Sequence, residues 1–400
     1  MLTLSYEFKL KPTCRQAQTI ESWLEICRQV WNYGLRERKD WVKSRKSPVN
    51  ACSLVGEYII PADTPRPTYA SQCKALTQAK KDHPQLKIPQ SQVLQQTLKR
   101  LETAWVDMYR RGFGFPRFKK KGQFRSFVFP KVKENVIEGN QIDLPKIGKL
   151  RFFKSRSLPD GFVVKQVRVL KRASGYYVIL SLQADVEVPQ PPISGHAIGL
   201  DVGLESYLAT SDGELIDNPR LFVKASGKLQ SLQQKLKRKK KGSRRWHLIQ
   251  HRIAKLYEHV TKSRKDFFFK LAHHLCNQAD SIFAEALNLK ALGRSRLAKF
   301  CLDAAWGEFL SILSWVCLKR DKYFAKEVDA KQTSQICPHC GVHTGKKPLS
   351  QRTHSCSHCG YQTHRDVAAA QVVLNRGVAS TSGQGGKMLV EGNVAGDGLA

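Results

Sequence analysis

The chain has 400 residues, 67 Lys and Arg against 33 Asp and Glu, and a formal net charge of +34 at pH 7. A hydrophobic content of 41% excludes disorder throughout, and the length suits roughly two to four domains. The positive surplus points to polyanions, with nucleic acid ahead of a membrane surface, because the longest strongly apolar stretch, Phe309 to Leu318, is too short to span a bilayer.

Met1 to Lys11 alternates polar and apolar residues and reads as a strand, not as a secretory signal, so the expected location is the bacterial cytoplasm, in association with the nucleoid. Thr13 can cap a helix that runs to about Trp41, with Ile20, Leu24, Cys27, Trp31 and Leu35 at helical spacing. Pro48, Pro61, Pro65 and Pro67 break it. Helices follow at about 69–82 and 90–111, the second striped by Val93, Leu94, Leu98, Leu101 and Trp105, and this helical lobe ends near Gly112. From Phe113 to Val188 the period changes to two, which predicts a small β-barrel that the first strand joins, with the lobe inserted after that strand. Pro189, Pro191 and Pro192 mark a linker.

The segment HAIGLDVGLESYLATSDGELID predicts three strands with tight turns, one of them at Ser211-Asp212-Gly213, and opens an α/β domain. Residues 228–279 read as helical and very basic, Ser281 to Glu285 as a short buried strand, 302–318 as an apolar helix and 322–328 as a strand. A cysteine module and a helix from Asp366 to Asn375 follow, and the Gly- and Ser-rich tail from Ala379 to Ala400 is expected to be disordered.

Between Lys228 and Lys265 stand fourteen Lys or Arg and one acid, Glu258. Like charges repel along a helix, so a run without interleaved acids suits a phosphate-binding surface better than an ordinary solvated face. Its candidate contacts are Lys237, Arg238, Lys239, Lys240, Lys241, Arg244 and Arg245. A second basic segment mixes Arg117, Lys119, Lys120, Lys121 and Arg125 with Phe113, Phe115, Phe118, Phe124, Phe127 and Phe129. Cations neutralise phosphates and aromatic faces stack bases, although Phe127 and Phe129 fit core positions better.

Eleven cysteines fall into two groups. Those at 14, 27, 52, 73, 276, 301 and 317 are scattered and read as core filler. Cys337, Cys340, Cys356 and Cys359 form C-x2-C-x15-C-x2-C, a closed four-thiolate site for one structural zinc, with Gly341 and Gly360 easing the turn after each pair. Four thiolates fill that site, so His339, His343, His354 and His358 are expected to be bystanders.

Asp201 ends one predicted strand, Glu285 ends another and Asp366 opens a helix. Acids at such positions can converge on one edge of an α/β sheet and hold the two divalent ions used in phosphodiester hydrolysis. Taken singly each has a plainer account: Asp201 as a turn residue, Glu285 as a surface acid, Asp366 as a helix N-cap. Together, in so basic a chain, they suggest a two-metal nuclease of the ribonuclease H type.

The chain resembles the TnpB (OrfB) family of transposon-encoded RNA-guided endonucleases related to type V CRISPR effectors. The resemblance runs through YEFKLKPT, QVWNYGL, FPRFKKK, IGLDVGL, FAEALNLKAL, TSQICPHCG and CSHCGYQTHRDVAAAQVVLNRG, over about residues 1–378. It implies a multidomain α+β protein. A wedge β-barrel (1–12 and 113–193) carries an inserted helical recognition lobe (13–112), and a RuvC-like, ribonuclease H-like nuclease (194–330 and 363–378) carries an inserted zinc ribbon for target nucleic acid (331–362). Residues 379–400 form the tail. Asp201, Glu285 and Asp366 match the family's catalytic, magnesium-binding acids, and Ala286 departs from the second acid that many members place after the Glu. The implied cofactors are one structural Zn²⁺, two catalytic Mg²⁺ and a guide RNA from the element's own end. The implied partner is double-stranded target DNA beside a short transposon-adjacent motif, with no membrane and no obligate protein partner. The alternative is a nuclease-silent, RNA-guided DNA-binding regulator, which should lack one of the three acids; a transposase with a His-x-His and Tyr nucleophile finds no matching motif. Gln90, Gln92, Gln95, Gln96 and Lys99 form a polar face that could read the motif.

Overall fold

The computed structural model describes residues 1–45, 60–61, 63–133, 135–189, 191–293, 297–348 and 350–382. Pro48, Cys52 and residues 383–400 of the tail lie outside the described residues. The chain divides into two compact units, Met1–Val188 and Pro189–Ala400, and the division falls at the proline-rich linker.

In the first unit, strand β1 (Leu2–Lys11) turns Leu4, Phe8 and Leu10 inward and Thr3, Ser5 and Lys9 outward. Helix α1 (Cys14–Ser44) starts at a capping box in which the Thr13 side chain accepts from Gln16 N and the Gln16 side chain accepts from Thr13 N. Helices α2 (Tyr69–Asp82) and α3 (Ser91–Arg110) complete the insertion. The chain then adds β2 (Ser126–Phe129), β3 (Ile137–Glu138), β4 (Gln141–Leu144), β5 (Gly148–Phe153), β6 (Val163–Arg172) and β7 (Gly175–Ala184).

These strands form one antiparallel sheet in the order β2-β6-β7-β1-β5-β4-β3, with the first strand at its centre. The expected barrel is therefore corrected to an open sheet, since β2 and β3 do not pair among the described residues. Closure needs edge strands that match in length, and β3 has two residues. Beside β2 lie helices instead: Trp23 of α1 packs on Phe127 and Phe129 at 5.3 and 5.9 Å between ring centroids. Emptying such an aromatic position typically costs about 3–5 kcal/mol.

The second unit is built on a five-stranded sheet in the order β10-β9-β8-β11-β12. Strands β8 (Ala197–Val202), β9 (Ser206–Thr210) and β10 (Leu215–Asp217) form an antiparallel meander. After α4 (Leu221–Lys237) and α5 (Arg244–Gln278), β11 (Ser281–Glu285) joins β8 in parallel. The short α6 (Leu289–Leu292), then α7 (Ala298–Ala304) and α8 (Trp306–Lys319), lead to β12 (Tyr323–Val328), parallel to β11. The cysteine module carries β13 (Thr353–Ser355) and β14 (Gln362–His364), and α9 (Arg365–Ser382) closes the described chain.

Consecutive residues of β11 serve opposite faces, as period two requires. Ile282 joins Phe268, Leu271 and Leu275 of α5 and Phe309 and Leu313 of α8, whereas Phe283 packs with Val373 of α9.

Four expectations about local structure are corrected here. The basic helix is two helices, because the chain breaks at 238–243, where Gly242 has φ +85°. The apolar helix at 302–318 is also two, interrupted at Ala305 with φ +49°. Although Ala298–Lys319 is long and apolar enough by composition to cross a membrane, its two halves contribute Cys301, Trp306, Phe309 and Leu313 to the core. Helix α9 continues to Ser382, so residues 379–382 are helical, not tail. Cys14 is exposed and Cys73 half-buried, so only Cys27, Cys276, Cys301 and Cys317 of the scattered set fill the core among the described residues.

Candidate functional site

Strands β8 and β11 run side by side with Leu200 opposite Ala284, so the next residues, Asp201 and Glu285, are neighbours at the carboxyl end of the parallel strands. Asp366 lies in the first turn of α9, inside the helix and not at its cap. That helix sits against β8 at backbone distance. A Cβ on Gly199 would meet Ala370 O at 2.1 Å and Leu374 N at 2.7 Å, and one on Gly377 would meet the Phe283 ring at 2.3 Å. Gly199 is two residues from Asp201 and Ala370 is one helical turn from Asp366, so this contact fixes how far apart the two acids stand.

The carboxyl of Asp201 is held well above the usual carboxylate range, first by desolvation and then by the negative charges of Glu285 and Asp366, with Arg365 acting in the opposite sense. Burial pushes Glu285 up to about 7. At the amino end of the same strands Asp280 pairs with Lys322, while Asp212 and Glu214 are hydrogen-bonded to His196 and His274 at 2.7 and 2.8 Å. Asp201 and Glu285, the acids whose ionisation is opposed, both lie at the other end of the sheet.

This opposition has a cost that can be measured without any substrate. In the folded state Glu285 keeps its proton up to about pH 7, whereas the unfolded chain releases it near the ordinary glutamate value of 4.5. The stability linked to Glu285 is thus fully present below about pH 4.5 and is lost as pH rises through about 7. Glu285→Gln is expected to stabilise the divalent-free protein above pH 7, by up to about 3 kcal/mol, and to leave it unchanged near pH 4. Thermal melts in a chelating buffer at the two pH values check this. Equal melting temperatures above pH 7 contradict it.

The four cysteines occupy two equivalent turns. Gly341 N donates to Cys337 O and Gly360 N to Cys356 O, each at 2.9 Å, and the two glycines have φ of +73° and +74°. The Cys337 and Cys359 sulfurs are 3.7 Å apart, those of Cys340 and Cys356 are 3.6 Å apart, and all four lie within 4.8 Å of one another. A tetrahedron with Zn–S of about 2.3 Å has edges of about 3.8 Å, so the cluster fits one zinc ion. His339 instead stacks on Tyr361, His343 accepts from Gly345 N, and buried His354 contacts Lys347.

The module is tied to the start of α9. Arg365 N donates to Arg352 O at 2.7 Å, Tyr361 Oη donates to Gln371 Oε1 at 2.9 Å, and Asn375 Nδ2 donates to Pro338 O at 2.9 Å. The cysteine cluster thereby braces the helix that carries Asp366.

Lys237 to Lys241, Arg244 and Arg245 are exposed at the break between α4 and α5. Further along α5 the cations are partly neutralised, Lys262 by Glu258 and Arg264 and Lys265 by Glu308. Arg117, Lys120 and Lys121 are exposed, while Lys119 is half-buried with Nζ 5.6 Å from the Trp31 ring centroid. Gln90 and Gln92 are half-buried and face each other at 3.5 Å, whereas Lys99 is exposed and lies over Tyr69.

Two residues near the acids escaped the sequence reading. Arg365 adjoins the acids, and only its position in RDVAAA could have flagged it. Asp303 accepts from Phe222 N and Val223 N at 2.9 and 3.2 Å and so satisfies the start of α4 from 81 residues away. It also lines a cavity of about 730 Å³ that reaches Val202, next to Asp201. A single acid inside the apolar run AKFCLDAAW was the available signal.

Residues 181–296 match the OrfB_IS605 family model, described as "Probable transposase", and residues 306–373 match "Cas12f1-like, TNB domain". The chain is 30% identical over 394 residues to "Putative RNA-guided DNA endonuclease InsQ" of Escherichia coli (strain K12), covering 94% of this chain and 92% of the relative. The chain belongs to the TnpB (OrfB) family. A second relative, "Putative RNA-guided DNA endonuclease" of Streptomyces pristinaespiralis, is 27% identical over 387 residues and covers 94% of this chain and 90% of its own. Residues 1–47 also match an OrfB model described as "Helix-turn-helix domain", although residues 1–45 of this OrfB protein fold as a strand and one uninterrupted helix. A solved structure titled "Cryo-EM structure of the Cas12f1-sgRNA-target DNA complex" aligns over 94% of this chain and 99% of that chain, at 15% identity and a TM-score of 0.34.

Proposed function

We propose that the protein is an RNA-guided DNA endonuclease in which Asp201, Glu285 and Asp366 form the hydrolytic centre. The observation that carries this reading is the adjacency of Asp201 and Glu285 on parallel strands, where burial opposes the ionisation of both and the neighbouring acids oppose that of Asp201 further. Oxygen donors of this kind suit Mg²⁺, and the three carboxylates are the residues that would hold it. When bound, such ions activate a water and stabilise the leaving oxygen of a phosphodiester. The chain's own part is to fix the three acids on a rigid strand pair and a helix end, to supply the Arg365 cation beside them, and to limit water around Asp201.

In this reading Pro189 onward is a RuvC-like nuclease domain interrupted by the cysteine module at 331–362, and Met1–Val188 is a wedge with an inserted recognition lobe. The break between α4 and α5, with its unneutralised cations, is the phosphate-binding surface. Sequence would be read by base pairing, and the protein would read backbone and a short adjacent motif.

Expressed with its flanking DNA, the protein is expected to copurify with one discrete RNA species whose 3′ portion directs cutting of matching DNA in Mg²⁺. Sequencing the retained RNA and supplying the matching duplex checks this. A heterogeneous RNA pool with RNA-independent cleavage replaces the proposal with a free-standing nuclease.

A further inference from the structure

The six phenylalanines between 113 and 129 divide into two sets. Phe124, Phe127 and Phe129 are 5%, 2% and 0% exposed and belong to the core, whereas Phe113, Phe115 and Phe118 are 57%, 40% and 43% exposed. Leaving three large rings in water costs hydrophobic stabilisation, so a segment that also holds them in fixed positions calls for a further reason. It does hold them. Trp31 Nε1 donates to Arg117 O at 3.2 Å, Asn32 exchanges two hydrogen bonds with the Lys119 backbone at 2.8 and 2.9 Å, and Arg28 Nη1 donates to Lys119 O at 3.1 Å. Phe115 stands edge-on to buried Trp105 at 5.1 Å.

Between this anchored loop and α1 lies an open pocket of about 460 Å³ lined by Lys39, Gly114, Phe115, Pro116, Arg117 and Phe118. Its size falls in the range of small-ligand sites, about 300–1,000 Å³. The lining offers two ring faces, two cations and no acid, and Asp40, the acid next to Lys39 in the chain, pairs with Arg36. Lys39 Nζ lies 5.4 Å from the Phe118 ring centroid, so a cation is already poised over the platform. The lining side chains include no acceptor, and their donors, Lys39 and Arg117, suit a phosphate. Ring faces beside cations suit an unpaired nucleotide, whose base can stack while its phosphate meets Lys39 and Arg117; a duplex hides its base faces.

We propose that Phe115, Phe118, Lys39 and Arg117 form a site that stacks one unpaired nucleotide of a nucleic-acid strand. This deepens the reading of the protein as a nucleic-acid-binding nuclease and rests on it.

The test uses the full chain, freed of nucleic acid in high salt and titrated with labelled oligouridylate, oligothymidylate and a duplex of equal length. Phe118→Leu keeps apolar bulk at a half-exposed position and removes the ring face. It is expected to weaken single-strand binding about tenfold, the scale of one lost base stack, while duplex affinity and the slope of log affinity against log salt stay unchanged. Phe118→Trp is expected to restore binding. A loss confined to the RNA or to the DNA oligomer supports the site and identifies its strand. Unchanged single-strand affinity, an equal loss for duplex, or a change in salt slope overturns the site. Failure of the unsubstituted protein to bind any nucleic acid refutes the nuclease reading instead, which keeps the two failures apart.

Discussion

Asp201→Asn is expected to abolish DNA cleavage, by at least about 1,000-fold, while RNA retention stays near that of the unsubstituted protein. The substitution keeps the side chain's size and removes the negative charge at the point where the field of all three acids converges. Because desolvation and like-charge repulsion already oppose ionisation there, the uncharged amide is tolerated by the fold, so loss of activity cannot be assigned to unfolding. Glu285→Ala and Asp366→Ala are expected to have the same effect. Cleavage of a matched duplex in Mg²⁺, alongside quantitation of bound RNA, is the measurement. Normal cutting by Asp366→Ala would leave that acid as a favourable charge at a helix N-terminus and nothing more.

The second large effect belongs to the cysteine cluster. Cys356→Ser is expected to remove the zinc, which elemental analysis should find at about one ion per chain in the unsubstituted protein. Binding free energy at a structural zinc, about 10–16 kcal/mol in small metal-folded modules, is folding free energy. Its loss frees the turns at 337–341 and 356–360 and with them the bonds from Arg352, Pro338 and Tyr361 to α9. The variant should therefore lose cleavage although no acid has been touched, and limited proteolysis should cut between 330 and 365 first. A zinc-free protein with full activity refutes this.

Much of the framework was legible because it rests on local patterns. The alternation in the first ten residues, the Thr13 cap and the compact run SIFAE each specify an element without help from distant residues. The candidate site was legible for a related reason: C-x2-C pairs and acids at element ends announce themselves by spacing. What escaped depends on partners far away in sequence. Nothing local distinguishes an open sheet from a barrel, because the outcome turns on whether β2 and β3 meet. The break at Ala305 is held by a residue with no intrinsic liking for the left-handed region, so only the packing of Cys301 and Trp306 on either side accounts for it. Asp303 acts on α4 across 81 residues, and the three core phenylalanines are those that reach Trp23 or Trp31 of α1.

The seating of α9 on β8 and β11 has a consequence for how this protein tolerates change. Most helix and sheet faces are separated by a layer of side chains that can trade volume among themselves, so their spacing drifts as sequences diverge. Here the spacer is the absence of two side chains: one added at Gly199 would meet the backbone of α9, which cannot be trimmed, and one added at Gly377 would meet the Phe283 ring. Gly199 is thus closed to every residue with a Cβ, while a change at Gly377 would need Phe283 to give way. Exchange of glycine for alanine, a routine way to stiffen an unfolded chain and raise stability, would at Gly199 push α9 off β8 and shift Asp366 relative to Asp201.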